Sequence, residues 1–237
     1  MAYFAVLYRL VTRALMEAAT TSRFDDPARA QRLTTVFAGR YLDALGAFER
    51  NERAPLCWTE AFRATTTWRP AVVQHLLLGV NAHINFDLGI AAVQVAPGDQ
   101  LPALRHDFDQ VNDILGGLID RVEQALVRIY PALRFVDALG GRTDEAFLDF
   151  SLRAARASAW RTAERLAVLD ADGQRMEMDR VDRLARTLAR AILSPGLKLS
   201  LALLVVRAQE RGNVASLIDK LEGSPEVNAF LSELRAG

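Results

Sequence analysis

The sequence predicts an all-α fold, a single-domain multi-helix bundle built around a central buried helix. Three observations predict it. Apolar residues recur at helical spacing along nearly the whole chain, and the period-2 alternation of strands is scarce. Proline, glycine and capping residues cut the chain into helix-sized pieces joined by short connections. One segment, Pro70–Val95, is too apolar for a surface helix yet studded with polar residues. With 237 residues, 51% of them hydrophobic, residues 1–237 can bury a substantial core as one unit.

Helix one is expected over Ala2–Thr20. Arg9 and Arg13 interrupt its apolar run and Glu17 follows, so it reads as an amphipathic helix and not a signal peptide. Asp26-Pro27, an N-cap acid before a first-turn proline, opens helix two, which runs to about Arg50. Pro55 opens a short third helix through Phe62, ended by Thr65-Thr66-Thr67 and Pro70. Helix four is Pro70–Val95, and the turn Pro97-Gly98-Asp99 follows it. Pro102 opens helix five, within 101–129, and Pro131 stops it. Gly140-Gly141 breaks the chain, Thr143 caps a helix to about Asp170, and Asp172-Gly173 turns it again. Met178–Leu193 is helical, and Ser194-Pro195-Gly196 ends it. Leu197–Arg211 is apolar on most faces and is expected to be buried. Ser224-Pro225 opens a last helix ending near Arg235.

Composition narrows the function classes. The 29 basic and 29 acidic residues cancel, and no basic patch stands out, which argues against a nucleic-acid partner. A single cysteine, Cys57, excludes intrachain disulfides and multi-cysteine zinc sites; beside Trp58 it reads as a small buried hydrophobe. Pro70–Gly98 is long enough to span a bilayer, but it contains Asp87 with Gln74, His75, Asn81, His83, Asn85 and Gln94. One Asp at a bilayer centre costs about 3 kcal/mol. The segment therefore reads as a helix inside a water-soluble, cytoplasmic protein with no membrane span.

Helix four also carries the candidate chemistry. At about 100° per residue, His75, His83 and Asp87 fall in one sector of about 120°. His83 and Asp87 are an i,i+4 pair, and Gly79 leaves room between the two histidines. Gln74, Asn81 and Asn85 form a second stripe on roughly the opposite side. On helix five the apolar face includes Leu104, Phe108, Val111, Leu115, Leu118 and Val122, with Asp107 and Asn112 on its borders, where they would reach helix four. His106, Asp109, Asp113 and Asp120 lie on a far side expected to be solvated. Arg153, Arg156, Trp160, Arg161 and Glu164 share helical spacing; they read as a solvated face with one packed Trp, or as a pocket wall with an arginine for a carboxylate. Trp58 and Glu60 carry the same two readings.

Three functions compete. The first is a metal-free enzyme acting on a small, largely apolar molecule by cyclisation, isomerisation or elimination. His83 would be its acid or base, oriented by Asp87 or Asp107, with His75 nearby. Asn81, Asn85, Asn112 and Trp160 would contact the substrate, and the two asparagines of helix four would donate to developing negative charge. The second is a hydrolase or oxygenase whose divalent metal is held by His75, His83 and Asp87, with Asp107 as a further candidate ligand. The third is a non-catalytic ligand-binding or scaffold protein in which the polar helix is a structural network. HExxH, ExxH, GxGxxG, P-loop, GxSxG and DDxxD patterns are all missing.

The run His75-Leu76-Leu77-Leu78-Gly79-Val80-Asn81-Ala82-His83-Ile84-Asn85-Phe86-Asp87-Leu88 resembles the hallmark of a bacterial family catalogued as a domain of unknown function, whose pattern is roughly HLLLGxNAHINxDL. Asp107-Phe108, Asn112, Tyr41-Leu42, Trp58 and Trp160 resemble its other recurrent positions. The resemblance reaches about Leu169 and is weak beyond it. It implies which residues matter, His75, Asn81, His83, Asn85 and Asp87 first among them, and implies no reaction.

Overall fold

Asp26 and Pro27 act as their spacing predicts. The Asp26 carboxylate accepts from the Arg29 backbone N–H at 2.9 Å, and Pro27 begins the helix. The computed structural model describes residues 2–18, 23–134, 152–210 and 214–236. Its helices are α1 (Ala2–Ala18), α2 (Pro27–Glu49), α3 (Leu56–Ala64), α4 (Val72–Ala82), a π-helical turn (His83–Asp87), α5 (Leu88–Val95), a 3₁₀ turn (Gly98–Leu104) and α6 (Arg105–Ile129). They continue as α7 (Leu152–Ala167), α8 (Ala171–Leu193), α9 (Leu197–Gln209), α10 (Val214–Glu222) and α11 (Pro225–Ala236). There is no strand among the described residues. One apolar core runs from Phe4 to Leu234 and joins every α-helix.

The expected central helix is α4, the π turn and α5 together. Helices α1, α2, α3, α7 and α8 pack around it. By length and composition Val72–Val95 would cross a membrane, yet 89% of its most apolar stretch is buried in the fold. Gly89 is one reason the packing is so close. A Cβ there would meet the Ala159 carbonyl oxygen at 2.4 Å, so α7 lies directly on α5. The π turn inserts one extra residue per turn into the ladder, a feature that recurs at functional sites.

Buried carboxylates from distant parts of the chain finish three helix starts. Asp182 of α8 accepts from the Leu56 and Cys57 N–H groups at 2.7 and 2.9 Å, capping α3. Glu210 accepts from the Val72 N–H at 2.7 Å, and Gln74 from that of Ala71 at 3.0 Å, at the start of α4. Asp107 accepts from the Asp25 N–H at 2.7 Å, just before α2. Each satisfies donors that a helix leaves orphaned at its N-terminus.

Several expected boundaries shift. Helix three runs to Ala64, and Pro102 lies inside the 3₁₀ turn. The cap of α8 is Asp170, which accepts from the Gly173 N–H at 2.8 Å, so Asp172-Gly173 is its first turn and not a chain reversal. Gly196, at φ +87°, makes the break before α9, and the helices on either side bend by 70°. Helix α9 is half-covered, contrary to its expected burial. Leu199, Leu203 and Val206 face the core, while Leu197, Leu201 and Val205 are exposed, because α9 lies at the edge of the bundle. Helix α10 has no counterpart in the sequence expectations. Thr20, Gly140-Gly141 and Thr143 lie outside the described residues.

Candidate functional site

The i,i+4 pair predicted on helix four forms. His83 Nδ1 stands 3.2 Å from Asp87 Oδ2. The same oxygen accepts from Trp58 Nε1 at 2.8 Å, and Oδ1 accepts from Arg40 Nε at 2.9 Å. Asp87 is 1% exposed, so its charge depends on these three partners, Arg40 above all. As a carboxylate facing two donor-only groups, Asp87 can take only a proton-bearing Nδ1 from His83. Nε2 is then left with its lone pair.

That lone pair has no protein partner. Nε2 is buried and makes no hydrogen bond. The imidazole stacks on Phe37 with centroids 3.5 Å apart, and Phe4, Tyr8, Tyr41 and Trp58 complete an aromatic box around it. A cavity of about 20 Å³ lies beside it, lined by Tyr8, Val11, Phe37, Leu115 and their neighbours. That volume holds about one water. Tyr8 also borders a groove of about 650 Å³ along the outer face of α1, together with Ala5, Arg9, Thr12 and Met16. Tyr8 thus lines both the surface groove and the His83 cavity.

The other predicted residues go elsewhere. Gly79 leaves no free space between the histidines, because the Phe4 ring fills it and a Cβ there would come within 2.2 Å of that ring. His75 borders a separate cavity of about 10 Å³ with Phe4, Trp58 and Thr65. Asp107 does not orient His83. It holds Arg29 through two bonds at 3.0 and 2.7 Å, because the start of α6 packs on the start of α2. The Asn112 side chain donates back to the Phe108 carbonyl of its own helix at 2.6 Å and makes no hydrogen bond to helix four; its backbone carbonyl accepts from Arg156. Asn81 donates to the Ala185 carbonyl of α8 at 2.8 Å, and Asn85 donates to Asn81 at 3.0 Å. The second stripe is thus an anchor to α8. Trp160 Nε1 donates to Glu164 at 2.7 Å, with Phe108 edge-on and Arg105 over the ring, which makes it a packed wall remote from His83. Glu60 pairs with Arg186 and Arg190. The side chain of Arg153 lies outside the described residues.

Among the described residues no three His, Cys, Asp or Glu side chains are placed to hold a metal ion. The expected ligand set His75, His83 and Asp87 is not assembled. The two histidines are about 12 Å apart along the helix, with the Phe4 ring against Gly79 between them. Sequence reasoning missed Arg40, Arg29 and Asp182. A signal for the first two was present: they lie 11 residues apart on α2, hence on one side, beside the buried stripe of Leu33, Phe37 and Tyr41.

Burial holds the His83 imidazole below its usual range, against the opposing pull of Asp87. Burial likewise brings His75 down to about 4. A folded pKa below the unfolded one means that the unfolded chain takes up protons the folded chain refuses. This destabilisation is absent above the unfolded value and grows as pH falls through about 6.5. The melting temperature is expected to drop between about pH 7 and about pH 5, with a shallower slope in His75→Gln. A flat profile in the parent chain would contradict these histidine environments.

Fold and site together define an all-helical protein with a desolvated His–Asp–Arg network at the middle of its core helix. The chain belongs to the family described as "Family of unknown function (DUF5995)", which matches residues 1–195. The match runs through α8, beyond the Leu169 limit expected from the motif residues. No curated protein and no solved structure matches the chain.

Proposed function

We propose that the protein is a cytoplasmic enzyme that acts on a small, largely apolar molecule by acid–base chemistry, with cyclisation, isomerisation or elimination as the reaction class. His83 is the base and Asp87 fixes its tautomer. The observation that carries this reading is the bare, buried Nε2 of a histidine whose Nδ1 is already committed to a carboxylate. That is how a general base is held ready, and an apolar box around it favours proton abstraction from a weakly polar substrate. Asn81, Asn85, Asn112, Asp107 and Trp160 have no part in this version of the mechanism. Arg40 and Trp58 take their place by holding Asp87, and Tyr8 is the side chain that must swing aside to admit substrate.

One observation favours the non-catalytic reading. The present cavity holds about one water and no substrate. Nitrogen NMR on histidine-labelled protein, with indole as an apolar N–H probe, separates the two. Under the enzymatic reading Nδ1 is protonated, Nε2 is bare, and indole shifts the Nε2 resonance, more strongly in Tyr8→Ala. His83→Gln abolishes that response without loss of stability. A protonated Nε2, or a His83→Gln variant that is destabilised by about 1–3 kcal/mol with no indole response in any variant, makes the network structural.

A further inference from the structure

A groove of about 390 Å³ runs between the start of α3 and the outer face of α8. Its apolar lining comprises buried Phe86, half-buried Met178 and exposed Leu56, and exposed Arg53, Arg175 and Arg183 carry its charge. We propose that this groove binds a small carboxylate with an apolar body. The reading is independent of the role of His83.

The charges on α8 lead to it. Most arginines of this helix are matched to acids: Arg180 to Glu177, and both Arg186 and Arg190 to Glu60. Arg175 bonds to Asp172 at the exposed end of the helix. Arg183 and Arg53 have no ion pair with any described carboxylate, and both line this groove. Two acids share the groove. Asp182 is occupied by the Leu56 and Cys57 N–H groups, and Asp179 stands at the exposed rim. At the exposed rim two unpaired guanidiniums, Arg53 and Arg183, thus stand against the single carboxylate of Asp179.

The form of the ligand follows from what is left to recognise it. The backbone donors at the α3 N-terminus are taken by Asp182, so no amide cradle for a phosphate remains. Guanidinium forks match a carboxylate in bidentate fashion. The apolar lining needs a hydrocarbon or aromatic body, and the volume is at the small-molecule end of binding sites. Phe86 adds a connection to the core. Its ring lines the groove, and Arg40, the partner of Asp87, lies over it at 5.3 Å.

Isothermal titration with octanoate at low ionic strength tests the proposal. Saturable binding is expected, with octanol weaker by at least about tenfold, the loss of a charge-assisted pair. The double variant Arg53→Gln/Arg183→Gln should lose affinity to the same degree while melting like the parent, since both side chains are exposed. Met178→Asp, which puts a negative charge in the apolar lining, should abolish binding. If octanol binds as well as octanoate, if both variants bind like the parent, or if octanoate shows no saturation at millimolar concentration, the proposal fails. Octanoate binding that persists in the arginine variant but is lost when Tyr8 is changed would assign the ligand to the α1 groove and also overturns it.

Discussion

Asp87→Ala is expected to be the most damaging single substitution in the protein. The carboxylate is 1% exposed and accepts from His83, Trp58 and Arg40. Its removal leaves a guanidinium only 18% exposed without a counter-charge and an indole N–H without an acceptor. Breaking one side of such a pair costs about 3–5 kcal/mol, a large part of a typical domain's stability of about 5–15 kcal/mol. Urea unfolding should show a large drop in midpoint with an unchanged slope. The histidine nitrogen spectrum should change as well, because Nδ1 loses the partner that fixes the tautomer. Asp87→Asn, which keeps the shape and one acceptor oxygen, should recover part of the stability but not the tautomer. A loss below about 1 kcal/mol for the alanine variant would mean that Arg40 finds water and the network contributes little.

Asp107→Ala should be nearly as costly, for the same physical reason in a different place. Asp107 is fully buried, holds Arg29 through two bonds and accepts from the Asp25 N–H ahead of α2. The expected loss is again about 3–5 kcal/mol. Here the His83 resonances should not move, because Arg29 and Arg40 are about 16 Å apart along α2. The two variants thus separate a stabilising carboxylate from the one that serves the candidate base. A changed His83 signal in a folded Asp107→Ala chain would show that the start of α2 is coupled to the site, against the geometry.

The difference between those two aspartates was not legible before folding. Asp87 shared a sector of helix four with His83, and Asp107 lay on the border of the apolar face of helix five, from where it could also be expected to approach His83. The i,i+4 relation of His83 and Asp87 is local, and the π turn preserved it. The position of Asp107 depended on which helix α6 would meet. Gly79 shows the same limit from the other side. A missing side chain on a helix face signals close approach, but only packing decides whether a ligand or, as here, the Phe4 ring takes the space. Asn81 and Asn85 were recognisable as a separate polar stripe, yet their partner, the Ala185 carbonyl, is 104 residues away from Asn81.

By itself the sequence determined what short-range physics controls: helical periodicity, the cap at Asp26, the glycine turn before α9, and the burial of a helix too apolar for the surface and too polar for lipid. It also determined that His83 and Asp87 share a face. The tertiary structure alone decided the partners of the buried charges: Arg40 and Trp58 for Asp87, Arg29 for Asp107, and the α3 N-terminus for Asp182. A buried carboxylate must be neutralised or hydrogen-bonded, and the sequence states that requirement without saying which distant donor meets it. The unpartnered Nε2 of His83 belongs to the same class of fact, since the five aromatic rings packed around the imidazole come from α1, α2 and α3.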